Sequence, residues 1–430
     1  MKTDQKILED LYELFLQQPT VSTDSRTCPP NAIFFALKGE NFDGNNYIRQ
    51  VLDAGAAFAV GDRNDLPNDQ RIIRVADVLQ TLQNLANLHR HRMSAKVIAI
   101  TGTNGKTTTK ELIAAVLSSQ YPTLYTQGNL NNHIGVPLTL LRLRPEHHFA
   151  VIEMGANHPG EIATLCRIAA PDYGLITNVG KAHLEGFGSL EGVLQTKTEL
   201  YRFLNDNGGT IFGNWDNPLL QPLLTTLQKT ILYGNTPRAL VEGKIVTTAP
   251  SLSLQWGGGI VNTKLVGGYN FENVLAAICI GQYFGVPATQ INQALNDYTP
   301  TNNRSQAINT GKNQLIVDAY NANPSSMAAA LDNFKQVAPP KMVILGEMRE
   351  LGTYSHSEHQ KLTEQLKRMA LDRVYLVGSN FQITPLPSSW KIFSTTDELI
   401  SDLQTHPITD YHILIKGSRT NELERALRWV

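Results

Sequence analysis

A glycine-rich segment that follows a short apolar strand constrains this chain more than any other feature. Lys96–Thr109 reads KVIAITGTNGKTTT, so an apolar strand runs into a turn that ends in Gly105, Lys106 and Thr107. In such a turn, glycines let backbone N–H groups close around phosphate oxygens, the lysine adds positive charge, and a threonine hydroxyl can ligate Mg2+. The segment predicts a strand–loop–helix unit that binds a Mg2+-nucleoside triphosphate, with ATP as the expected nucleotide.

The loop is a short variant, because the usual spacing would place the first glycine at Ile100, whereas here it is Gly102. A purely structural strand, turn and helix cap is the alternative reading. The apolar run after Glu111 predicts that the loop opens a helix. The predicted nucleotide-contacting residues are Gly102, Thr103, Asn104, Gly105, Lys106, Thr107 and Thr108.

Length and composition limit the class of protein. A chain of 430 residues is longer than one hydrophobic core usually supports. At about 150 residues per domain, this length predicts about three domains. The net charge of −1 provides no basic excess for nucleic acid. The polar start and the absence of apolar runs near 18 residues, about the length that spans a bilayer, favour a cytoplasmic protein without membrane insertion. Cys28, Cys166 and Cys279 lack metal or redox spacing, so reduced thiols are expected.

The alternation of strands and helices predicts an α/β fold with three domains, at residues 1–92, 93–305 and 306–430. An amphipathic helix from Ile7 to Phe15 opens the first. Strands at 97–100, 149–154 and 174–178 with helices between them predict a mostly parallel central sheet. A linker at 298–303 precedes a third alternation, with strands at 314–318, 342–345, 374–377 and 412–415.

Polar phrases follow all three predicted central strands. Ligands of parallel sheets gather at the carboxyl ends of strands, so these phrases are expected to converge on one site. Glu153, His183 and Lys197 stand out, because oxygen and imidazole groups can ligate a second Mg2+. The alternatives are that Glu153 and His183 are hydrogen-bonded structural residues and that Lys197 is an exposed helix lysine.

Two further phrases are dense in hydrogen-bonding groups. Residues 128–137 read GNLNNHIGVP and suit a polar ligand, although an asparagine-rich turn is the alternative. Residues 318–326 read DAYNANPSS, in which a strand ends in polar groups and Pro324 can begin a helix. Helix capping would explain Asn323 or Ser325 alone, but hardly the whole phrase.

Taken together, these motifs resemble the Mur ligases, the ATP-dependent ligases of peptidoglycan synthesis, over nearly the whole chain. The resemblance is carried by residues 24–26, 36–40, 43–44, 101–108, 128–132, 153–156, 178–183, 318–324 and 345–352. It implies an N-terminal UDP-sugar-binding α/β domain, a central P-loop ATPase domain with a mostly parallel sheet, and a C-terminal Rossmann-like domain that helps to close the site.

The resemblance also implies residue roles. Thr107 and Glu153 would ligate the Mg2+ between the ATP phosphates, and His183 with a carbamylated Lys197 would hold a second Mg2+; with Lys106, these form the expected catalytic set. Adenine, phosphate and ribose would be met by Asn270 or Asn273, Arg304 and Asp318. The UDP-sugar and peptide would be met by Ser25, Arg26, Lys38, Asp43, Gly44, Asn131 and Asn132. Asn321, Asn323 and the turn at 416–419 would lie on the closing C-terminal face.

The implied reaction is addition of D-Ala-D-Ala to UDP-MurNAc-tripeptide through an acyl phosphate, by a protein expected to be a monomer. Three alternatives stay open: the family member that adds a diamino acid one step earlier, folylpolyglutamate synthase, and a regulatory module that binds ATP without ligation. Asp318-Ala-Tyr-Asn-Ala-Asn-Pro324, in place of the Asp-Asn-Pro-Arg-like phrase expected of the first, favours D-Ala-D-Ala addition.

Overall fold

The computed structural model describes residues 4–300, 304–382 and 386–430, so residues 301–303 of the predicted linker lie outside the described residues. By packing, the chain divides into two compact units. One comprises the residues up to Ala99, Tyr121–Ala156 and Glu161–Gly174; the other comprises Ile100–Gln120, Asn157–Gly160 and the residues from Leu175 onward. No helix of the described ranges is long and apolar enough to cross a membrane.

The first region is a small α/β sandwich. Its four-stranded parallel sheet has the order β1-β2-β5-β6, and β3 and β4 form a separate antiparallel pair. The predicted amphipathic helix is α1, which buries Leu11, Tyr12 and Phe15. The elements are α1 (Asp4–Gln17), β1 (Val21–Ser22), β2 (Ile33–Phe35), β3 (Lys38–Gly39), β4 (Phe42–Asp43), α2 (Ile48–Asp53), β5 (Phe58–Gly61), β6 (Ile72–Arg74) and α3 (Val78–Arg92).

The middle of the chain forms a six-stranded sheet with the order β12-β11-β10-β7-β9-β8. Its first elements are β7 (Lys96–Thr101), α4 (Lys106–Ser118), β8 (Thr123–Tyr125), α5 (Gly135–Leu140), β9 (Phe149–Glu153), α6 (Glu161–Ala169), β10 (Tyr173–Ile176), α7 (Leu184–Phe187), α8 (Leu190–Lys197) and α9 (Glu199–Asp206). Then come β11 (Thr210–Asn214), α10 (Gln221–Leu224) and β12 (Thr230–Tyr233). The three predicted central strands are β7, β9 and β10, and the last ends two residues earlier than predicted.

A three-stranded antiparallel sheet follows, which the sequence analysis did not predict. It comprises β13 (Gly243–Thr247), β14 (Ser253–Trp256) and β15 (Gly259–Asn262), and is followed by α11 (Phe271–Tyr283) and α12 (Ala288–Asp297). Leu252, Leu254 and Trp256 are buried at alternate positions, and Gly257 and Gly258 form the turn between β14 and β15. This alternation beside a glycine turn is a hairpin signal that could have been read from the sequence.

The last region is a second doubly covered sheet with the order β16-β17-β21-β18-β19-β20, parallel except for the edge strand β16. Separate apolar clusters cover its two faces, one around Phe334 and the other around Leu399. All four strands predicted here are present. The elements are β16 (Gln306–Asn309), β17 (Gln314–Asp318), α13 (Pro324–Phe334), β18 (Lys341–Gly346), α14 (Ser355–Lys367), β19 (Arg373–Val377), β20 (Lys391–Phe393), α15 (Thr396–Thr405) and β21 (His412–Lys416).

Candidate active site

The phosphate loop lies between β7 and α4, as the sequence predicted. Gly102 has φ of 143° and Gly105 has φ of 77°, conformations that side chains with a Cβ rarely adopt. A Cβ at Gly102 would lie 2.0 Å from Oγ1 of Thr177, and one at Gly105 would lie 2.5 Å from Oδ1 of Asn273. Both glycines are therefore required by backbone conformation and by close packing.

The segment after β10 holds the loop in shape. Asn104 N–H donates to Oδ1 of Asn178 at 3.0 Å, and the Asn178 side-chain amide donates to the Asn104 carbonyl at 3.1 Å. Gly180 N–H donates to Oγ1 of Thr103 at 2.9 Å. The segment that follows β10 thus holds the loop that follows β7 in place through these hydrogen bonds.

The start of α4 is built to meet an anion. Lys106 is its first residue, and its Nζ donates to the carbonyls of Gly102 at 2.8 Å and Thr103 at 3.0 Å. Gly105 occupies the N-cap position without a side-chain cap, so the first-turn N–H groups and the helix dipole favour a negative ligand. Thr107 and Thr108 are buried in this first turn. The arrangement can bind the phosphates of a nucleotide.

Asn270 and Asn273 lie behind this helix. Asn273 accepts a hydrogen bond from Oγ1 of Thr109 at 3.0 Å and donates to Oδ1 of Asn270 at 3.0 Å. Asn270 in turn donates to the Val266 carbonyl at 2.9 Å. Both side chains are buried, and this relay supports the base of α4. Their predicted contact with adenine stays a prediction.

The C-terminal region contacts the phosphate loop through the start of α13. Asn323 caps this helix by accepting from Ser326 N–H at 2.9 Å, and its side-chain amide donates to Oδ1 of Asn104 at 2.8 Å. The neighbouring Ser325 Oγ accepts from Lys181 N–H at 2.8 Å. Asn323 therefore both caps α13 and contacts the phosphate loop.

The ends of β17 and β21 bring two predicted residues together. Nζ of the fully buried Lys416 lies 2.6 Å from Oδ2 of Asp318 and donates to the Asn321 carbonyl at 3.0 Å. The Asn321 side-chain oxygen accepts from Ala322 N–H at 2.8 Å. The ion pair fixes the orientation of the Asp318 carboxylate.

Arg304 and Arg419 share an aromatic partner. The Arg304 guanidinium lies 3.8 Å from the Tyr320 ring centroid, and that of Arg419 lies 5.3 Å from it. The Nε of Arg304 is buried and has no hydrogen-bond partner in the part of the chain that the structure describes. Two cations on one ring favour an anion beside them.

Glu153 ends β9 and is almost fully buried. Its Oε1 accepts from the Asn131 side-chain amide at 2.8 Å, whereas the buried Oε2 has no partner among residues 4–300, 304–382 and 386–430. Asn132 instead uses its side-chain oxygen to accept from Ile134 N–H at 3.1 Å and Gly135 N–H at 2.9 Å, beside the start of α5. A buried carboxylate oxygen without a donor is suited to a cation.

His183 and Lys197 flank one aromatic ring. The imidazole and the Phe187 ring are 6.2 Å apart and edge-to-face, and Nζ of Lys197 lies 5.3 Å from the Phe187 centroid. Lys197 is 2% exposed, so the reading of an exposed helix lysine is wrong. Nδ1 of His183 lies 2.5 Å from Oε2 of Glu350, an ion-pair contact in which Nδ1 makes no hydrogen bond of regular geometry to the described residues, and the imidazole lowers the pKa of the Glu350 carboxyl.

These donors fit Mg2+ better than a transition metal. No group of three or more His, Cys, Asp or Glu side chains is placed to hold a metal ion among the residues described. Mg2+ commonly uses one or two protein carboxylates together with substrate phosphates and water. The buried Oε2 of Glu153, which has no partner among the described residues, is a carboxylate oxygen of this kind.

The predicted UDP pocket residues lie in the first region, where their charges are paired. Arg26 makes two side-chain hydrogen bonds to Asp24, at 2.9 and 2.7 Å, which lower the pKa of Asp24 to about 2. Lys38 lies 2.8 Å from Asp62, whose hydrogen bond raises the pKa of Lys38.

The adjoining turn is tightly packed, and Asp43 caps it by accepting from the following Asn45 N–H at 2.9 Å. A Cβ at Gly44 would lie 2.7 Å from the Leu37 carbonyl oxygen. The turn therefore requires glycine at position 44. Ser25 is half-buried between the paired Asp24 and Arg26.

Several site residues were missed by sequence reasoning. Glu350 lies within the 345–352 motif but was given no role, and Lys181 and Glu358 were not singled out. Nζ of Lys181 lies 3.3 Å from the buried Glu358 carboxylate. The available signal was the charged residues of the phrases GEMRELG, which contains Glu350, and NVGKAH, which contains Lys181. The partners of these residues depend on tertiary structure.

The fold and the site define an α/β protein with a nucleotide-binding phosphate loop. Family models match it in three consecutive parts: Mur ligase family, catalytic domain, at residues 20–90; Mur ligase middle domain, at 100–281; and Mur ligase, glutamate ligase domain, at 303–419. The chain belongs to the Mur ligase family.

Relatives and solved structures agree with this assignment. The UDP-N-acetylmuramoyl-tripeptide–D-alanyl-D-alanine ligase of Escherichia coli is 36% identical over 424 residues, covering 95% of this chain and 92% of that protein. A crystal structure of MurF from Acinetobacter baumannii has a TM-score of 0.85 at 34% identity, covering 95% of this chain and 92% of that one. The ADP complex of MurF ligase from Thermotoga maritima has a TM-score of 0.84 at 28% identity, covering 96% and 97%.

Proposed function

We propose that this chain joins D-Ala-D-Ala to UDP-MurNAc-tripeptide, giving UDP-MurNAc-pentapeptide, ADP and phosphate. The observation that carries the proposal is the 36% identity, over 95% of this chain, to a ligase named for that reaction. The phosphate loop at the start of α4 supports ATP as the energy source.

In the proposed reaction, the terminal carboxylate of the tripeptide attacks the γ-phosphorus of ATP, and ADP leaves. The D-Ala-D-Ala amine then attacks the carbonyl carbon of the acyl phosphate, and phosphate leaves as the amide forms. Lys106 and the N–H groups of the first turn of α4 stabilise the charge on the phosphoryl oxygens. The protein's main contribution is to position the reactants.

Two Mg2+ positions are proposed, one held by Thr107 and Glu153 and the other by His183 and Lys197. Bound Mg2+ would neutralise phosphate charge and polarise the P–O bonds. In this proposal Lys197 carries a carbamate, formed when its neutral amine reacts with CO2, which replaces a buried cation with an anionic ligand. Carbon-13 NMR of protein equilibrated with labelled bicarbonate tests this, because Lys197→Ala should remove one carbamate signal.

The remaining predicted contacts are part of the same proposal. Asp318 is assigned to the ribose, Arg304 to a phosphate, and Asn270 or Asn273 to the adenine side of the loop. The fixed carboxylate of Asp318 and the unpartnered Nε of Arg304 support the first two assignments. UDP-MurNAc-tripeptide is assigned to Ser25, Arg26, Lys38, Asp43, Gly44, Asn131 and Asn132, and closure over the reactants to Asn321 and Asn323.

Three properties of the whole chain are also proposals. We place the reaction in the cytoplasm, expect a monomer, and assign domains to residues 1–92, 93–305 and 306–430. Light scattering after gel filtration measures the mass of the particle. Limited proteolysis, with mass analysis of the stable fragments, tests the proposed boundaries at residues 93 and 305.

The decisive experiment measures phosphate release from ATP and Mg2+ with UDP-MurNAc-tripeptide and D-Ala-D-Ala, omitting each component in turn. Release should require all components and yield a pentapeptide product by mass. The same assay with UDP-MurNAc-dipeptide and diamino acids tests the family member one step earlier. Activity only in that mixture would overturn the assignment, and ATP binding without release in either mixture would favour the non-catalytic module.

A further inference from the structure

Two residues with left-handed backbone face each other at the edge of the proposed site. His183 has φ of 49° and Glu350 has φ of 60°, a region that non-glycine residues seldom occupy. Their side chains meet, with Nδ1 of His183 lying 2.5 Å from Oε2 of Glu350. Unfavourable backbone conformations tend to persist where the surrounding structure fixes them for a function.

The surrounding contacts fix this pair. Glu185 N–H donates to the Glu350 carbonyl at 3.3 Å, and the Tyr354 hydroxyl donates to the Gly188 carbonyl at 3.1 Å. Leu184 is buried in the apolar cluster that contains Leu351. The segment 183–188 is thus joined to the segment 350–354 by backbone, hydroxyl and apolar contacts, and these hold the Glu350 side chain, which is 52% exposed, beside His183.

The segment that carries Glu350 is itself anchored within the C-terminal region. Met348 N–H donates to Nε2 of the fully buried His359 at 3.0 Å. The Asn380 side-chain amide donates to Oε2 of Glu347 at 2.6 Å. Glu350 therefore approaches His183 from a rigid support.

A carboxylate against one ring nitrogen determines which nitrogen of an imidazole remains for a metal. With Nδ1 of His183 facing Glu350, Nε2 is the nitrogen left to bind an ion. Carboxylate–histidine–metal arrangements fix the tautomer and the ring orientation, and they raise the basicity of the ligand.

We propose that Glu350 is the positioning residue of His183, so that the second Mg2+ site is completed only when the C-terminal segment 350–354 lies against 183–188. The proposal rests on the proposed function, in which His183 binds that ion. It assigns Glu350 no contact with substrate. Its effect is to couple metal affinity to the docking of the C-terminal region.

Mn2+ binding provides a test that does not depend on turnover. Free Mn2+ is followed by electron paramagnetic resonance during titration of protein saturated with AMPPNP and UDP-MurNAc-tripeptide. Glu350→Gln removes the charge but keeps the shape, and it should weaken the second ion by about 10- to 100-fold while leaving the first unchanged. The matched control is Glu185→Gln, which removes an exposed carboxylate two residues from His183 and should bind both ions like the wild type.

A second variant separates positioning from folding. Glu350→Gly relieves the left-handed backbone, so its melting temperature should equal or exceed that of the wild type, although the second ion is weakened. Wild-type Mn2+ affinity in Glu350→Gln would overturn the proposal. A wild-type protein that binds only one ion would remove His183 as a ligand and the proposal with it, whereas pentapeptide formation would still establish the ligase.

Discussion

Lys106 is the residue on which the proposed chemistry depends most directly. Its Nζ lies over the phosphate loop and contacts the carbonyls of Gly102 and Thr103, which a bound nucleotide would replace. Lys106→Ala should lower kcat/KM for ATP by about 10²- to 10³-fold, because one preorganised donor to the developing charge is lost. Phosphate release measured over a range of ATP concentrations, with the other two substrates saturating, gives this ratio.

The thermal stability of Lys106→Ala should change little, because the side chain is only half-buried. Lys244→Ala is the matched control, since it removes an exposed lysine from β13, outside the proposed site, and should keep full activity. Equal turnover in Lys106→Ala and Lys244→Ala would contradict the assigned role of the phosphate loop.

For single residues, the sequence predicted those features that depend on neighbouring positions in the chain. Gly102, Gly105 and Lys106 lie within five consecutive residues, and strand, turn and helix propensities define their geometry. Glu350 was missed because its role depends on contact with His183, far away in the chain. The burial of Lys197 could not be predicted either, because the sequence of its helix, α8, does not show which residues pack against it.

Among single elements, α13 makes a prediction that separates stability from function. Asn323→Ser keeps an N-cap acceptor but cannot reach Asn104, whereas Asn323→Ala loses both interactions. Asn323→Ala should cost about 1 kcal/mol of unfolding free energy, and Asn323→Ser only a few tenths. Both should lower kcat/KM for ATP by about 2- to 10-fold, since one net hydrogen bond contributes about 0.5–1.5 kcal/mol.

Chemical denaturation and steady-state kinetics measure the two effects separately. The control is Thr395→Ala, which removes the cap of α15 and should lower stability without changing ATP kinetics. If Asn323→Ser retains wild-type kcat/KM while Asn323→Ala loses activity, the contact with Asn104 is not used in catalysis.

Strands were predicted well where they form continuous apolar runs. The strands β7, β17 and β18 are continuous apolar runs that parallel sheets bury on both faces, so composition alone indicated them. The sheet β13-β14-β15 was missed although Leu252, Leu254 and Trp256 alternate. The region was interpreted as strands that alternate with helices, so the hairpin between β14 and β15 was not predicted.

For the whole molecule, the order of domains followed from motif order, but the contacts that dock the C-terminal region onto the phosphate loop did not. Asn323 to Asn104 and Ser325 to Lys181 join residues that no local pattern relates. Their formation depends on the packing of complete sheets and helices. Stability, too, is a property of the complete packing, and the buried histidines make it depend on pH.

Each compact unit contains a buried histidine whose pKa is lowered mainly by burial, His89 in α3 and His359 in α14. His89 accepts from the Tyr12 hydroxyl and donates to the Leu143 carbonyl, and His359 accepts from Met348 N–H. Both rings are therefore hydrogen-bonded in the neutral form. When the folded pKa is lowered, the unfolded chain binds protons more readily, so unfolding free energy falls as pH falls below about 6.5.

We expect amide hydrogen exchange around α3 and residues 346–352, corrected for the intrinsic rate, to show local opening becoming easier from pH 7.5 to 5.5. His89→Gln should flatten that dependence in α3 alone, and His359→Gln should flatten it near Met348 alone, because each ring lies in a different unit. The exposed neighbours on the same helices provide the controls, since His91→Gln and His356→Gln should keep the wild-type slope. A slope that survives both buried substitutions would place the acid lability in carboxylates rather than in these histidines.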